Sequence, residues 1–119
     1  MKQSGQIILF RFPQTDMTQG KPRPALIISK SLGVYDDWLI CMISTQLRHY
    51  IQGFDEIIHT DDSDFSTSGL RMPSVIRIGR LAIVDGAMML GAIGEINPNR
   101  VQRIQENLAS WITQSHHNK

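Results

Sequence analysis

The sequence predicts a mainly β protein, a small closed or partly closed barrel of about five to seven strands with one C-terminal α-helix. Short apolar segments rich in β-branched residues recur along the chain and are separated by Gly, Pro and Asp. Only the last apolar segment has the spacing of a helix. The length of 119 residues, with 41% hydrophobic content, suits one core, so we expect a single domain over residues 1–119.

Composition limits the function classes. The formal net charge is only +1, so any site for a polyanion must come from local clustering of Arg. Cys41 is the only cysteine, which excludes a disulfide within the chain, and its apolar neighbours favour an inert buried thiol. The first apolar stretch, Ile7 to Phe10, is too short for a signal sequence or a membrane span. We therefore expect a cytoplasmic protein with no membrane partner.

The first half of the chain alternates strands and polar loops. Gly5 to Phe12 is the first predicted strand, and Thr15 to Gly20 is a loop. Ala25 to Ile28 is the second strand, and Lys30 to Asp37 is a loop around a glycine. Trp38 to Ser44 is the third strand. This alternation of short strands and loops fits a small β-barrel.

Arg23 lies between two prolines at the entrance of the second strand. Pro22 fixes its own φ, and Pro24 forces Arg23 into extended geometry, so the backbone that carries the guanidinium is stiff. Such a fixed Arg suits bidentate contact with a phosphate or carboxylate. The alternative is that Arg23 merely pairs with an acid on the surface.

Polar side chains also cluster where the third strand ends. Ser44 is followed directly by Thr45, Gln46, Leu47, Arg48 and His49. This segment is either a polar turn with satisfied side chains or a recognition loop that carries catalytic hydroxyls.

A fourth strand is predicted over Phe54 to Thr60, next to an acidic stretch. Five of the eleven acidic residues lie between Asp55 and Asp64. The spacing does not fit an EF-hand, because the required Gly and Glu are missing, so a solvated acidic loop is favoured over a metal site.

The second half contains a run of arginines without acids. After a loop over Ser66 to Pro73, a strand is predicted over Ser74 to Ile78, with a bulge or kink at Gly79. The strand resumes over Arg80 to Val84 and ends at an Asp-Gly turn. Arg71, Arg77 and Arg80 fall within ten residues that contain no acid.

The pattern over Ala87 to Ile96 indicates only a short strand or a turn, because two glycines interrupt this segment. The final helix has a clearer signal. Asn97 can cap it and Pro98 suits its first position. Apolar residues then follow at helical spacing on one face, namely Val101, Ile104, Leu108 and Trp111. We expect this face to pack on the sheet.

Taken together, these segments resemble the PemK/MazF (Kid-type) toxin family of bacterial type II toxin-antitoxin systems. The matching pieces occur in the family's order and spacing over nearly the whole chain. They are Gly5-Gln6-Ile7-Ile8-Leu9, Phe12-Pro13-Gln14-Thr15-Asp16, Lys21 to Ser29, Ile43-Ser44-Thr45-Gln46, Asp64-Phe65, Gly69-Leu70, Ser74-Val75-Ile76-Arg77 and Ile93-Gly94. The resemblance implies an SH3-like barrel with a C-terminal helix.

The resemblance also implies a function. Such toxins are usually homodimers that cut single-stranded RNA without a metal or other cofactor and are silenced by a cognate antitoxin. Operator DNA is expected only as a partner of the toxin-antitoxin complex. The implied chemistry is attack of a ribose 2′-hydroxyl on the adjacent phosphate, which leaves a 2′,3′-cyclic phosphate and a 5′-hydroxyl.

Carried over by position, the family's proline-flanked Arg is Arg23 and its strand-end hydroxyl is Ser44, which are the expected catalytic residues. Arg23 would stabilise charge on the phosphorane, and Ser44 would donate to a phosphoryl oxygen or position the 2′-hydroxyl. The expected RNA-binding residues are Thr15, Lys21, Thr45, Gln46, Arg48, Arg77 and Arg80. We expect the acidic loop to lie away from the RNA.

The general base is not assigned by the resemblance. Some relatives carry a carboxylate where this chain has Gly79, and others carry a His where it has Met17. Asp16, His49 and His59 are the remaining candidates.

Two alternatives stay open. One is a non-enzymatic toxin that binds a topoisomerase, as CcdB-like proteins do through a Trp and an Ile at the extreme C-terminus. In this chain Trp111-Ile112 is followed by seven more residues, which argues against it. The other is an antitoxin-binding or operator-binding module, or a weakened nuclease, on the same fold. The missing carboxylate at Gly79 motivates that second alternative.

Overall fold

The computed structural model describes residues 2–12 and 20–114. Its strands form one six-stranded antiparallel sheet in the order β4-β5-β3-β2-β1-β6. The strands are β1 (Gln6–Phe10), β2 (Arg23–Lys30), β3 (Asp37–Ser44), β4 (Glu56–Ile58), β5 (Ser74–Asp85) and β6 (Ala92–Glu95). The α-helices are α1 (Phe65–Ser68) and α2 (Pro98–Thr113), and short 3-10 turns occupy Leu47–His49 and Gly86–Met88.

Both faces of the sheet are apolar, because successive side chains of a strand point to opposite faces. On one face Ile7, Leu26 and Ile28 belong to the main core, which includes residues of α2. On the other face Ile8 and Ile27 belong to a second cluster with Trp38 and Phe10 among its members. The central strands therefore read as continuous apolar runs, as the sequence suggested for Ala25 to Ile28.

The pairing of β5 is irregular around Gly79, where the sequence predicted a bulge or kink. Its pairing with β3 shifts register between Cys41, which faces Leu81, and Met42, which faces Arg77. In the irregularity, the Ile78 N–H donates instead to Asp55 Oδ1 at 3.0 Å. The first part of β5 lies between β3 and β4, because Val75 and Ile76 pair with β3 on one edge and with β4 on the other.

Helix α1 links the two edges of the sheet. It follows β4 in the chain and packs against β6, where Thr67 Oγ1 donates to the Glu95 carbonyl at 3.2 Å. Gly69 and Gly94 permit this close approach of backbones, since a Cβ on either would overlap backbone atoms of the facing segment. The sheet is thus a partly closed barrel with a C-terminal helix, which confirms the predicted fold class.

Replacing Gly94 with Ala is expected to destabilise the protein by about 1 to 3 kcal/mol, because the new methyl group would overlap the Thr67 carbonyl oxygen and the Ser68 backbone. Urea unfolding followed by circular dichroism measures the change. Gly79→Ala is the matched control, because its Cβ would meet only the Phe54 ring edge at 3.5 Å. Equal unfolding midpoints for the two variants would contradict the proposed closure.

Helix α2 begins as predicted. Asn97 caps it by accepting a hydrogen bond from the Asn99 N–H at 2.9 Å, and Pro98 is its first residue. The predicted apolar residues Val101, Ile104 and Leu108 are buried in the main core. Trp111, however, is 42% exposed, and its indole packs edge-on against the Phe54 ring. Of the helices within the described ranges, none is long and apolar enough to cross a membrane.

The prediction of a solvated acidic loop is wrong in its main feature. Asp64 is buried and bonds to the guanidinium of Arg100, which is only 9% exposed. The same guanidinium donates to Glu56 at 2.9 Å and to Asp62 at 3.0 Å. Asp55 is also buried and accepts from backbone N–H groups. The acidic residues therefore anchor α2 and the β4-β5 connection to the barrel, and the distance in sequence to Arg100 hid this role.

Smaller differences concern element lengths. The fourth strand covers only Glu56–Ile58, not the whole of Phe54 to Thr60. The predicted loop of Ser66 to Pro73 overlaps α1, and the ambiguous stretch after the Asp-Gly turn contains β6. Thr15 to Gln19 of the predicted first loop lie outside the described residues.

Candidate functional site

A groove of about 740 Å³ lies where β2, β3 and β5 meet the turn after β3 and the loop before β5. Its size is typical of ligand sites in proteins. The residues that line it are Leu9, Arg23, Pro24, Met42, Ile43, Ser44, Thr45, Gln46, Arg48, His49, Gly69, Leu70, Arg71, Met72, Ser74, Arg77 and Ile93.

Strand pairing brings Arg23 and Ser44 to the same end of the sheet. β2 and β3 are antiparallel neighbours, with Ala25 facing Met42. Two further steps in that register lead from Ala25 to Arg23 on one strand and from Met42 to Ser44 on the other. Arg77 stands on the next strand, where it faces Met42. The sheet therefore presents the proline-flanked guanidinium, the strand-end hydroxyl and a second guanidinium to one groove.

The Ser44 hydroxyl is held from two sides. Its Oγ accepts a hydrogen bond from the Gln46 N–H at 3.0 Å. The 3-10 turn after β3 reverses the chain and brings His49 Nδ1 to 3.4 Å from the same Oγ. Among the candidate bases, His49 is thus in the groove. His59 is exposed and does not line it, and Asp16 lies outside the described residues.

The electrostatic character of the groove is positive. Arg23, Arg48, Arg71 and Arg77 line it, and no Asp or Glu of the described residues does. Desolvation and the nearby charges of Arg77, Arg48 and Arg80 hold the pKa of His49 below its ordinary value. These influences favour the neutral imidazole over the charged form. Four of the eight arginines thus line one groove in a chain of net charge +1, and such local clustering is what a polyanion site would need.

The structure brings most of the predicted site residues together. Those in the groove are Arg23, Ser44, Thr45, Gln46, Arg48 and Arg77. Lys21 and Arg80 are exposed outside it, and Thr15 lies outside the described residues. Gly79, which stands where some relatives carry a carboxylate, is also outside the groove. The acidic stretch of Asp55 to Asp64 does not reach it, in agreement with the expectation.

Sequence reasoning missed part of the groove. Arg71 was visible as a member of the acid-free run but was not predicted as a site residue. The apolar side chains Leu9, Leu70, Met72 and Ile93 were also missed. β1 reaches the groove through its pairing with β2, whereas β6 and the loop before β5 reach it through sheet closure. No local signal in the sequence distinguishes these from ordinary core residues.

Two other chemistries have less support. Cys41 is completely buried, and desolvation raises the pKa of its thiol far above the ordinary range, so the predicted inert thiol is confirmed. Within residues 2–12 and 20–114, no three or more His, Cys, Asp or Glu side chains form a group that could hold a metal ion.

The alternative that Arg23 pairs with an acid on the surface has no support in the described residues, because none of their carboxylates lies within salt-bridge distance of it.

Solved structures that share this fold include two that contain MazF. The Mycobacterium tuberculosis toxin MazF-mt6 superposes with a TM-score of 0.64 at 16% identity and covers 92% of this chain and 98% of its own. A crystal structure of MazE-MazF from Deinococcus radiodurans contains a chain that also gives 0.64, at 20% identity, with 96% and 97% covered. Among curated protein sequences, none matches the chain.

A family model matches far more of the sequence than any one motif does. It describes the PemK-like, MazF-like toxin of type II toxin-antitoxin systems, and it matches residues 3–112. The match spans every strand and nearly all of α2. This chain therefore belongs to the PemK-like, MazF-like toxins of type II toxin-antitoxin systems.

Proposed function

We propose that this toxin is an endoribonuclease that cleaves single-stranded RNA by attack of a 2′-hydroxyl on the adjacent phosphate, without a metal. The products would be a 2′,3′-cyclic phosphate and a 5′-hydroxyl. The observation that carries the proposal is the convergence of Arg23 and Ser44 in one arginine-rich groove. The family resemblance implies catalytic roles for both residues, which lie in separate parts of the sequence.

Arg23 is proposed to stabilise the phosphorane. Its strand pairs with β1 on one side, where Phe10 faces Arg23, and the flanking prolines restrict the backbone. A guanidinium on such a restricted backbone loses little conformational entropy when it binds two phosphoryl oxygens. Because its pKa is very high, it acts as a fixed charge and not as an acid or base.

Ser44 is proposed to act next to Arg23 on the same phosphate or on the 2′-hydroxyl. The Gln46 N–H fixes the position of its oxygen, so the hydroxyl needs no large reorganisation when the substrate binds. No covalent intermediate is required, because the nucleophile is supplied by the RNA itself.

The rest of the groove fits a flexible single strand. Arg48 and Arg77 would contact phosphates, and Thr45 and Gln46 offer hydrogen-bonding groups for base edges. The apolar side chains of Leu70 and Met72 provide surface for bases that have left a helical stack. Thr15, Lys21 and Arg80 would extend the contact beyond the groove.

The proposed partners follow from the family. We propose a homodimer, a cognate antitoxin that silences the toxin, and contact with operator DNA only through the complex with that antitoxin. We also propose a cytoplasmic location, where messenger RNA is available. The exposed apolar side chains of Leu32, Val34 and Tyr35 are consistent with a chain that buries surface against partners.

A second candidate is a non-enzymatic toxin that binds a topoisomerase through the end of α2. The exposure of Ile112, at 65%, and of Trp111 favours it. Truncation after Ser110 distinguishes the two functions. Loss of growth arrest with intact RNA cleavage would support this second candidate.

The proposal is tested by incubating the purified chain with a long RNA in the presence of EDTA. We expect discrete cuts by primer extension, with cyclic phosphate on the upstream fragment and a free 5′-hydroxyl on the downstream one. RNA that stays intact at micromolar protein, or cleavage that stops when EDTA is added, would contradict the proposed function.

A further inference from the structure

His49 is the candidate base that lies in the groove, although no family motif distinguished it from the other candidates. Its Nδ1 lies 3.4 Å from Ser44 Oγ, and it lines the same groove as Arg23. The contact depends on the 3-10 turn at Leu47–His49. This turn brings His49, its last residue, close to Ser44 at the end of β3. The turn therefore places the imidazole beside the Ser44 hydroxyl.

The hydrogen bonds around Ser44 are compatible with a neutral imidazole that accepts a proton through Nδ1. The Gln46 N–H already donates to Ser44 Oγ at 3.0 Å, so that oxygen has one acceptor position in use. If Nδ1 carries no proton, the Ser44 O–H donates to it, and the remaining lone pair of Oγ is free to accept a proton from a substrate hydroxyl. Ser44 can then take one proton while it gives up another.

We propose that His49 is the proton acceptor of RNA cleavage and that it acts through Ser44. This inference rests on the proposed function. As the 2′-oxygen forms its bond to phosphorus, the 2′ proton passes to Ser44 Oγ and the Ser44 proton passes to His49 Nδ1. The bond from phosphorus to the 5′-oxygen breaks, and that oxygen takes a proton from water. The imidazolium then neutralises the hydroxide that remains.

The charges near His49 support this role. Arg48 belongs to its own turn, Arg77 and Arg80 come from β5, and Arg23 and Arg71 line the groove. Among the described residues no carboxylate lines the groove to stabilise an imidazolium. Desolvation and the charges of Arg77, Arg48 and Arg80 lower the pKa of His49, which favours the form that can accept a proton.

The test compares single-turnover cleavage by the wild type, His49→Asn and His59→Asn over about pH 4 to 8. Asn can place a polar atom where Nδ1 stood, so His49→Asn preserves a hydrogen bond to Ser44 but cannot accept a proton. We expect it to cleave about a hundredfold more slowly at saturating RNA, with KM little changed. His59→Asn should cleave at the wild-type rate, because His59 lies outside the groove.

The pH profile of the wild type is a second readout that needs no variant. We expect its rate to fall on the acid side with a midpoint below the ordinary histidine value of about 6.5, and this fall should be absent from the residual activity of His49→Asn. Free imidazole should partly restore cleavage by His49→Ala. A wild-type rate for His49→Asn, or an unchanged acid limb in it, would overturn the role of His49. Intact RNA with the wild type would instead overturn the proposed function.

Discussion

The Arg23→Ala variant is expected to cleave RNA at least about a hundredfold more slowly than the wild type, because one fixed donor to the transition-state charge is lost. Arg23→Lys should recover only part of the rate, since an ammonium keeps the charge but cannot contact two phosphoryl oxygens in a planar fork. Single-turnover cleavage of a defined RNA measures both losses. The loss should appear in the cleavage step more than in RNA affinity, because Arg48, Arg71 and Arg77 remain in the groove.

The matched control for this prediction is Arg103→Ala. Arg103 lies on α2 outside the groove and pairs with Glu56 while its side chain is 53% exposed. The control removes one positive charge without touching the proposed site, so cleavage should be unchanged. Full cleavage by Arg23→Ala with unaltered folding would remove the proposed mechanism.

The largest expected effect on stability comes from Arg100→Leu. The guanidinium of Arg100 bonds to Asp64, Glu56 and Asp62 at 2.9 to 3.0 Å, and Asp64 is only 5% exposed. Removal of the cation leaves a buried carboxylate without its partner, which typically costs about 3 kcal/mol or more. Urea unfolding at neutral pH measures the loss. Arg103→Ala is again the control, and as an exposed pair it should cost less than about 1 kcal/mol.

The stabilising effect of this network should depend on pH. Burial opposes ionisation of Asp64, but hydrogen bonds from Arg100 and the Asn97 N–H outweigh it, and its pKa lies below the ordinary value. A carboxyl with a lowered folded pKa stabilises the protein fully above its unfolded pKa of about 3.9, and the effect is lost as pH falls towards the folded pKa. The difference in the free energy of unfolding between the wild type and Arg100→Leu should therefore become smaller below about pH 4. A difference that becomes larger there would contradict the stabilising pair of Asp64 and Arg100.

The elements that the sequence predicted well are those with strong local signals. The Asn-Pro start of α2, its stripe of Val101, Ile104 and Leu108, and the interruption of β5 at Gly79 all depend on residues close together in the chain. The element boundaries were less certain, because β4 is set by its pairing with β5 and not by its own composition. Arg100 was missed as a structural residue for the same reason, since its partners lie in a different part of the sequence.

The site followed a similar pattern. Arg23 and Ser44 were recognisable because prolines and a strand end mark them locally, and the resemblance to a family paired them. His49 could only be one candidate among several, because its distance to Ser44 depends on how the turn after β3 closes. The apolar lining of Leu70 and Ile93 depends on sheet closure through α1 and β6, which no local pattern predicts.

A double-mutant cycle on Arg23 and Ser44 tests most directly whether these two side chains stabilise the same pentavalent phosphate. Single-turnover rates are measured for the wild type, Arg23→Ala, Ser44→Ala and the double variant. Because both groups act on one transition state, we predict that the double variant loses much less than the product of the two single losses. Losses that multiply fully would show that the two residues act independently, which would contradict the account.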